Sequence, residues 1–122
     1  MSQNQCVCHD NETPNLQIGV ETRRNMRYMG KQVYSRMVNF GSLTNATTKT
    51  VPHGIPDVEW IQVDHTYSTV RMPDGTSRAA SYSGQAATAN KTVVGITPNK
   101  DYRTYTATLC VVYTKTTDPV IA

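Results

Sequence analysis

Residues 101–118 read Asp-Tyr-Arg-Thr-Tyr-Thr-Ala-Thr-Leu-Cys-Val-Val-Tyr-Thr-Lys-Thr-Thr-Asp, and this stretch constrains the fold more than any other. Tyr105, Ala107, Leu109, Val111 and Tyr113 form an apolar row at the odd positions. The even positions carry Thr104, Thr106, Thr108, Cys110, Val112 and Thr114. Strict alternation over this length predicts a β-strand, because strand side chains point to opposite faces with period two. Thr, Tyr and Val are also the residues that suit a pleated surface. A strand over residues 102–114 would extend roughly 43 Å, long for a small domain, so a bend or a change of partners along it is expected. The apolar row should face a core, and the threonine row is a candidate for packing against sister subunits towards its end.

No segment shows a helical period, and turn signals recur between short apolar runs. In Met26-Arg-Tyr-Met29 and Gln32-Val-Tyr-Ser-Arg-Met-Val-Asn-Phe40 the runs flank Gly30-Lys31, which predicts a hairpin of type II′ with the glycine first. Leu16, Ile18 and Val20 alternate as in a short strand. The prolines of Val51-Pro-His-Gly-Ile-Pro56 exclude a central strand there. Strand character resumes from Val58 to Tyr67, with Ile61, Val63 and Tyr67 on one face and Val58 and Trp60 on the other. Pro73-Asp-Gly75 is a turn. Residues 76–90 read as a long loop with at most a short strand at 79–82, and residues 91–96 as a strand. The fold class is therefore all-β, an antiparallel, jelly-roll-like β-sandwich. Residues 1–24 form an N-terminal arm for attachment or strand exchange, and residues 25–122 form the sandwich.

With 122 residues and 38% hydrophobic side chains, one modest core is expected, supplemented by contacts with neighbouring subunits. The net charge of +3 is placed unevenly. Arg23, Arg24, Arg27, Lys31, Arg36 and Lys49 are basic, and no acidic residue lies between Thr22 and Lys49. Such a face would meet nucleic acid, an anionic polymer or an acidic partner. No signal peptide follows Met1 and no run reaches membrane-spanning length, so synthesis in a cytoplasm without membrane insertion is expected.

Motifs for chemistry are sparse. Cys6-Val-Cys8-His9 has one residue between its cysteines and lacks a second ligand pair, which does not fit a zinc site. His53 lies in a turn and is expected to stabilise it. His65 continues the Ile61 and Val63 face, where a bonded, partly buried histidine is expected. Glu59, Asp64 and Asp74 fall in different local settings, so the paired carboxylates of a glycosidase are not visible. A non-enzymatic protein without a metal or other cofactor is expected.

The Gly30-Lys-Gln-Val-Tyr34 turn, the Lys49-Thr-Val-Pro-His-Gly-Ile55 element and the closing Tyr113-Thr-Lys-Thr-Thr-Asp118 occur in this order. This combination resembles a small β-sandwich domain at the ends of bacteriophage tail-fibre, baseplate and head-fibre proteins. The resemblance implies a homotrimer on the virion surface that contacts the host envelope, docked to other virion structural proteins through the arm. A connector, capsid decoration or cement protein is the alternative, and a nucleic-acid-binding β-domain using the basic face is a third reading. For an attachment protein, the turns supply the expected contact residues, Tyr67, Arg71, Arg78 and Tyr82. Aromatic and arginine side chains suit a cell-surface saccharide or an anionic polymer.

Overall fold

The computed structural model describes residues 17–80 and 86–121. The described chain is an all-β, antiparallel sandwich of two curled sheets. Its strands are β1 (Thr22–Tyr28), β2 (Lys31–Ser42), β3 (Lys49–Pro52), β4 (Val58–Val63), β5 (Thr69–Arg71), β6 (Ser77–Ala79), β7 (Ala86–Ala89), β8 (Val93–Thr97) and β9 (Thr106–Lys115). The larger sheet runs β1-β2-β9-β5-β6, with β4 also paired to β9, and the smaller runs β3-β8-β7.

The alternating C-terminal stretch becomes β9, the centre of the larger sheet. It begins at Thr106, because Tyr102 and Tyr105 are held in a turn by a Tyr105 N–H bond to the Tyr102 carbonyl, 2.9 Å. β2 lies along one side of β9 from Tyr34↔Tyr113 to Ser42↔Thr106. The other side is shared: β4 pairs with the C-terminal half up to Val63↔Val111, and β5 takes over from Thr69↔Thr108. The expected change of partners therefore occurs along one edge. Ser68, fully buried, bridges the changeover. Its Oγ accepts the Cys110 N–H at 2.9 Å and donates to the Asp64 carbonyl at 2.7 Å, which satisfies backbone groups between the two partners.

The odd row of β9 packs into the sandwich core as expected. Ala107, Leu109, Val111 and Tyr113 meet Val38, Phe40, Val63 and Val70 of their own sheet and Val94 and Ile96 of the other. Val58 joins this core beside Ile61, rather than lying opposite it with Trp60. A register shift between Val58 and Trp60 inserts the extra residue that turns it inward. The even row is also covered by its own chain: Cys110, Val112 and Thr114 are all buried. Thr106 stays exposed and Thr108 half-buried at the other end of the row.

Several local expectations change. The hairpin turn centres on Met29 and Gly30, with φ of 51° and 83°, and Tyr28 pairs with Lys31. Positive φ at both central residues makes the turn type I′, one residue earlier than expected. Gly30 is further fixed by the C-terminus: a Cβ there would lie 2.8 Å from Val120 Cγ1, and its carbonyl accepts the Ile121 N–H at 2.8 Å. Ile18 makes an isolated bridge to Met37 rather than a strand. The expected loop at 76–90 contains β6 and β7, and the boundary expected between residues 24 and 25 falls inside β1. Pro52 sits at the end of β3, an edge strand, as a proline should. The turn at 73–75 forms, closed by Gly75 N–H to the Met72 carbonyl at 2.9 Å. At the end of β2, the Lys49 ammonium donates to the carbonyls of Phe40 (3.1 Å) and Ser42 (2.7 Å).

Candidate binding cleft

Two constellations of polar and aromatic side chains flank β9, one on each face of the larger sheet. The first collects residues of the sequence elements that carry the family resemblance. Tyr34 and Tyr113 are cross-strand partners with ring centroids 5.8 Å apart, and the Lys115 ammonium lies 4.3 Å from the Tyr34 ring centroid. Tyr34 donates its hydroxyl proton to Asp118 Oδ2 at 2.6 Å, and Tyr113 donates to Glu21 Oε1 at 2.5 Å. Lys115 closes the network on Glu21 Oε2 at 2.8 Å. The bond to Asp118, followed by burial, pushes the Tyr34 phenol up to about 12. Burial, and then the bond to Glu21, raises Tyr113 as well. Burial alone would raise Glu21, but the bonds from Lys115 and Tyr113 more than offset it and hold the carboxyl below its ordinary range. The network is a closed structural clasp joining the start of β1, β2 and the end of β9.

His53 plays a comparable part in the Pro-His-Gly-Ile element. It is 5% exposed, accepts the Ile55 N–H at Nδ1 (3.1 Å) and meets the Asn90 carbonyl through Nε2 (2.8 Å). Its backbone N–H reaches the Thr92 carbonyl at 3.2 Å. The histidine stabilises a turn, with a ring that donates at Nε2 and accepts at Nδ1.

The second constellation is open to solvent. β1 has an irregular register between Arg23 and Arg27 and pairs with β2, while its side chains reach residues of β4 beyond β9. Tyr28 stacks on Trp60 at 4.0 Å and 10° between ring planes. Arg24 pairs with Asp64 at 3.4 Å, and its guanidinium lies 5.5 Å from the centroid of the Tyr67 ring. Between these contacts lies a cleft of about 330 Å³. Met26, Trp60, Val63 and Val112 give it apolar surface, and Arg24, Gln62, Asp64 and His65 bring polar groups to it. Arg24 and Asp64 side chains are each 15% exposed, so the pair forms a wall of the cleft. Asp64 Oδ1 accepts the Thr66 N–H at 3.0 Å, which fixes the carboxylate at the end of β4. The cleft is open, and its volume falls at the lower end of the range of small-ligand sites.

His65 departs from the sequence expectation. β4 ends at Val63, so His65 lies exposed in the following turn and lines the cleft instead of continuing the inward face. Among the four residues expected at a contact surface, Tyr67 is the one brought beside the cleft, through Arg24. Arg71 and Arg78 belong to the β5–β6 hairpin, where they pair with Ser77 and Val70. Adjacent register positions place them on opposite faces of that hairpin. Tyr82 lies outside the described residues, as do Cys6, Cys8 and His9. No group of metal-ligating side chains occurs among the described residues. Arg24, Met26, Trp60, Gln62, Asp64 and His65 were not singled out as contact residues by sequence pattern. β4 and the turn after it carry four of them, and β1 brings Arg24 and Met26 to the same cleft.

The basic face is largely occupied internally. Lys31 is 8% exposed and bonds Glu59 at 2.6 Å and the Lys115 carbonyl at 3.1 Å. Lys49 caps carbonyls of β2, and Arg23 bonds the Gln32 side chain at 3.1 Å. Arg36 is partly buried, with its Nε lacking a partner among the described residues.

Comparison with protein-family models, with curated proteins and with solved structures finds no match to this chain.

Proposed function

We propose that this chain is a bacteriophage virion surface protein that mediates attachment to the host cell, acting as a trimer and without catalysis. The observation that carries the reading is the cleft between β1 and β4: an aromatic platform and four polar side chains converge at an open surface. The resemblance in the Gly30–Tyr34, Lys49–Ile55 and Tyr113–Asp118 elements supplies the viral setting. The clasp on the opposite face uses four of those elements' residues, Tyr34, Tyr113, Lys115 and Asp118, to hold the sheet that presents the cleft.

The test uses purified particles and the free chain. Antibody raised against the chain should label intact particles in electron micrographs, and excess free chain should reduce particle adsorption to host cells. Particles without label would refute virion residence. A second reading, a connector or cement protein, is favoured by an exposed apolar cluster: Met29, Val120 and Ile121 are 81%, 65% and 42% exposed around the Gly30 turn. Labelled particles whose adsorption is indifferent to free chain would select that reading over attachment.

A further inference from the structure

We propose that the cleft between β1 and β4 binds an uncharged pyranose unit of a polysaccharide, in preference to an anionic polymer. The choice follows from where the charges are. Arg24 is the cation lining the cleft, and it faces Asp64 at 3.4 Å, so the pair contributes no net charge. Arg23 and Arg27 on the same strand pair with Tyr34 and Gln32, whereas Thr22 and Tyr28 pair with Ser35 and Lys31. Partners in register share a face, so both arginines project to the side opposite Tyr28 and the cleft. Lys31 is occupied by Glu59 and a carbonyl. A polyanion would therefore meet a carboxylate and a neutralised guanidinium where it needs free cations.

A neutral sugar ring fits the same groups. Its C–H face is apolar and packs on aromatic surface, which Trp60 supplies while Tyr28 holds the indole from one side at 4.0 Å. Its hydroxyls donate and accept at once, and the cleft offers both functions. The Asp64 carboxylate accepts, the Arg24 guanidinium donates, and the Gln62 amide does both. At 3.4 Å the Arg24–Asp64 contact is long for a charge-assisted bond, which leaves capacity on both partners for hydroxyls. Gln62 is exposed in the middle of β4, aligned with Val112 of β9, at the cleft floor.

This ligand class deepens the attachment reading and rests on it for its biological meaning, but binding is measured on the purified chain of 122 residues. Fluorescently labelled chain is applied to an immobilised panel of bacterial oligosaccharides, neutral, uronic-acid-containing and phosphorylated. The best-retained glycan is then titrated into wild type and each variant by isothermal titration calorimetry. Retention on neutral members at both low and high salt is expected. Gln62→Ala and Trp60→Phe, each checked for an unchanged circular dichroism spectrum, should weaken binding by about tenfold, the loss of one well-placed contact. Retention on no neutral glycan, salt-sensitive retention on acidic members alone, or unchanged affinity in both variants would each overturn the proposal. Absence from particles would remove the attachment reading and leave sugar binding standing. Failure to bind sugar would remove this inference and leave virion residence standing.

Discussion

Replacing Tyr113 by phenylalanine deletes one oxygen from a fully buried ring and leaves its stack with Tyr34 in place. What is lost is the 2.5 Å bond to Glu21. Hydrogen bonds to ionised partners contribute about 1.5–3 kcal/mol. Glu21 keeps Lys115 and remains partly open to water, so its carboxylate can be rehydrated, and the cost should fall near the lower end, about 2 kcal/mol. With a urea m-value of about 1–3 kcal/mol/M, the unfolding midpoint should drop by about 1 M. Trp60, the single tryptophan, reports the transition by fluorescence. The pH dependence gives a second check. The Tyr113 phenol is raised in the folded state, so its contribution is complete below the unfolded tyrosine value of about 10 and is lost as pH rises beyond it. Glu21 is lowered in the folded state, so its contribution is present above the unfolded glutamate value and is lost as pH falls through the folded one. The gap between wild type and variant should therefore be widest near neutrality and narrow in both acid and alkali. A midpoint shift under about 0.3 M at neutral pH, or a gap that is the same above pH 10, would refute the assignment of the clasp as a stabilising charged hydrogen bond.

His53→Ala removes two ring hydrogen bonds from a buried turn and should cost about 2–4 kcal/mol, seen in a thermal melt as a fall of about 10 °C. Gly30→Ala combines a φ of 83° with a 2.8 Å approach to Val120 Cγ1. It should cost about 2 kcal/mol in urea unfolding, and deleting residues 120–122 from both proteins should reduce that difference to the backbone strain of about 1 kcal/mol. Ala46 holds a φ of 57°, so Ala46→Gly should raise the unfolding free energy by about 0.5–1 kcal/mol, measured the same way. Ser68→Ala leaves the buried Cys110 N–H without its acceptor and should cost about 1–3 kcal/mol, with faster amide exchange at Cys110.

Alternation made β9 and its core-facing row legible, because period two is a local property and the odd residues all meet the sandwich interior. The burial of Cys110, Val112 and Thr114 was not legible, since it depends on neighbours far away in sequence. Val58 misled for a related reason: a one-residue register shift reverses a side chain, and nothing in the apolar pattern marks where the shift occurs. The Ala-Ala-Thr-Ala segment of β7 lacks the β-branched density that marks a strand, and it is held in place by β8. The cleft was the least legible element. Arg24 looked like part of a basic stripe, yet its charge is met by Asp64, forty residues further along the chain. Tyr67 was recognisable as an aromatic in a turn, but its partner was not.

Lys49 has a consequence beyond the strand it starts. β2 pairs with β9 as far as Ser42, whereas β1 reaches only Ser35 on the other side and Ile18 touches Met37. The carbonyls of Phe40 and Ser42 face this open margin, and both accept the Lys49 ammonium, which also lies 5.1 Å from the Phe40 ring centroid. An incoming strand would have to displace a cation from the acceptors it needs for pairing. Among the described residues, one side chain thus occupies the acceptors that an added strand would use along this margin.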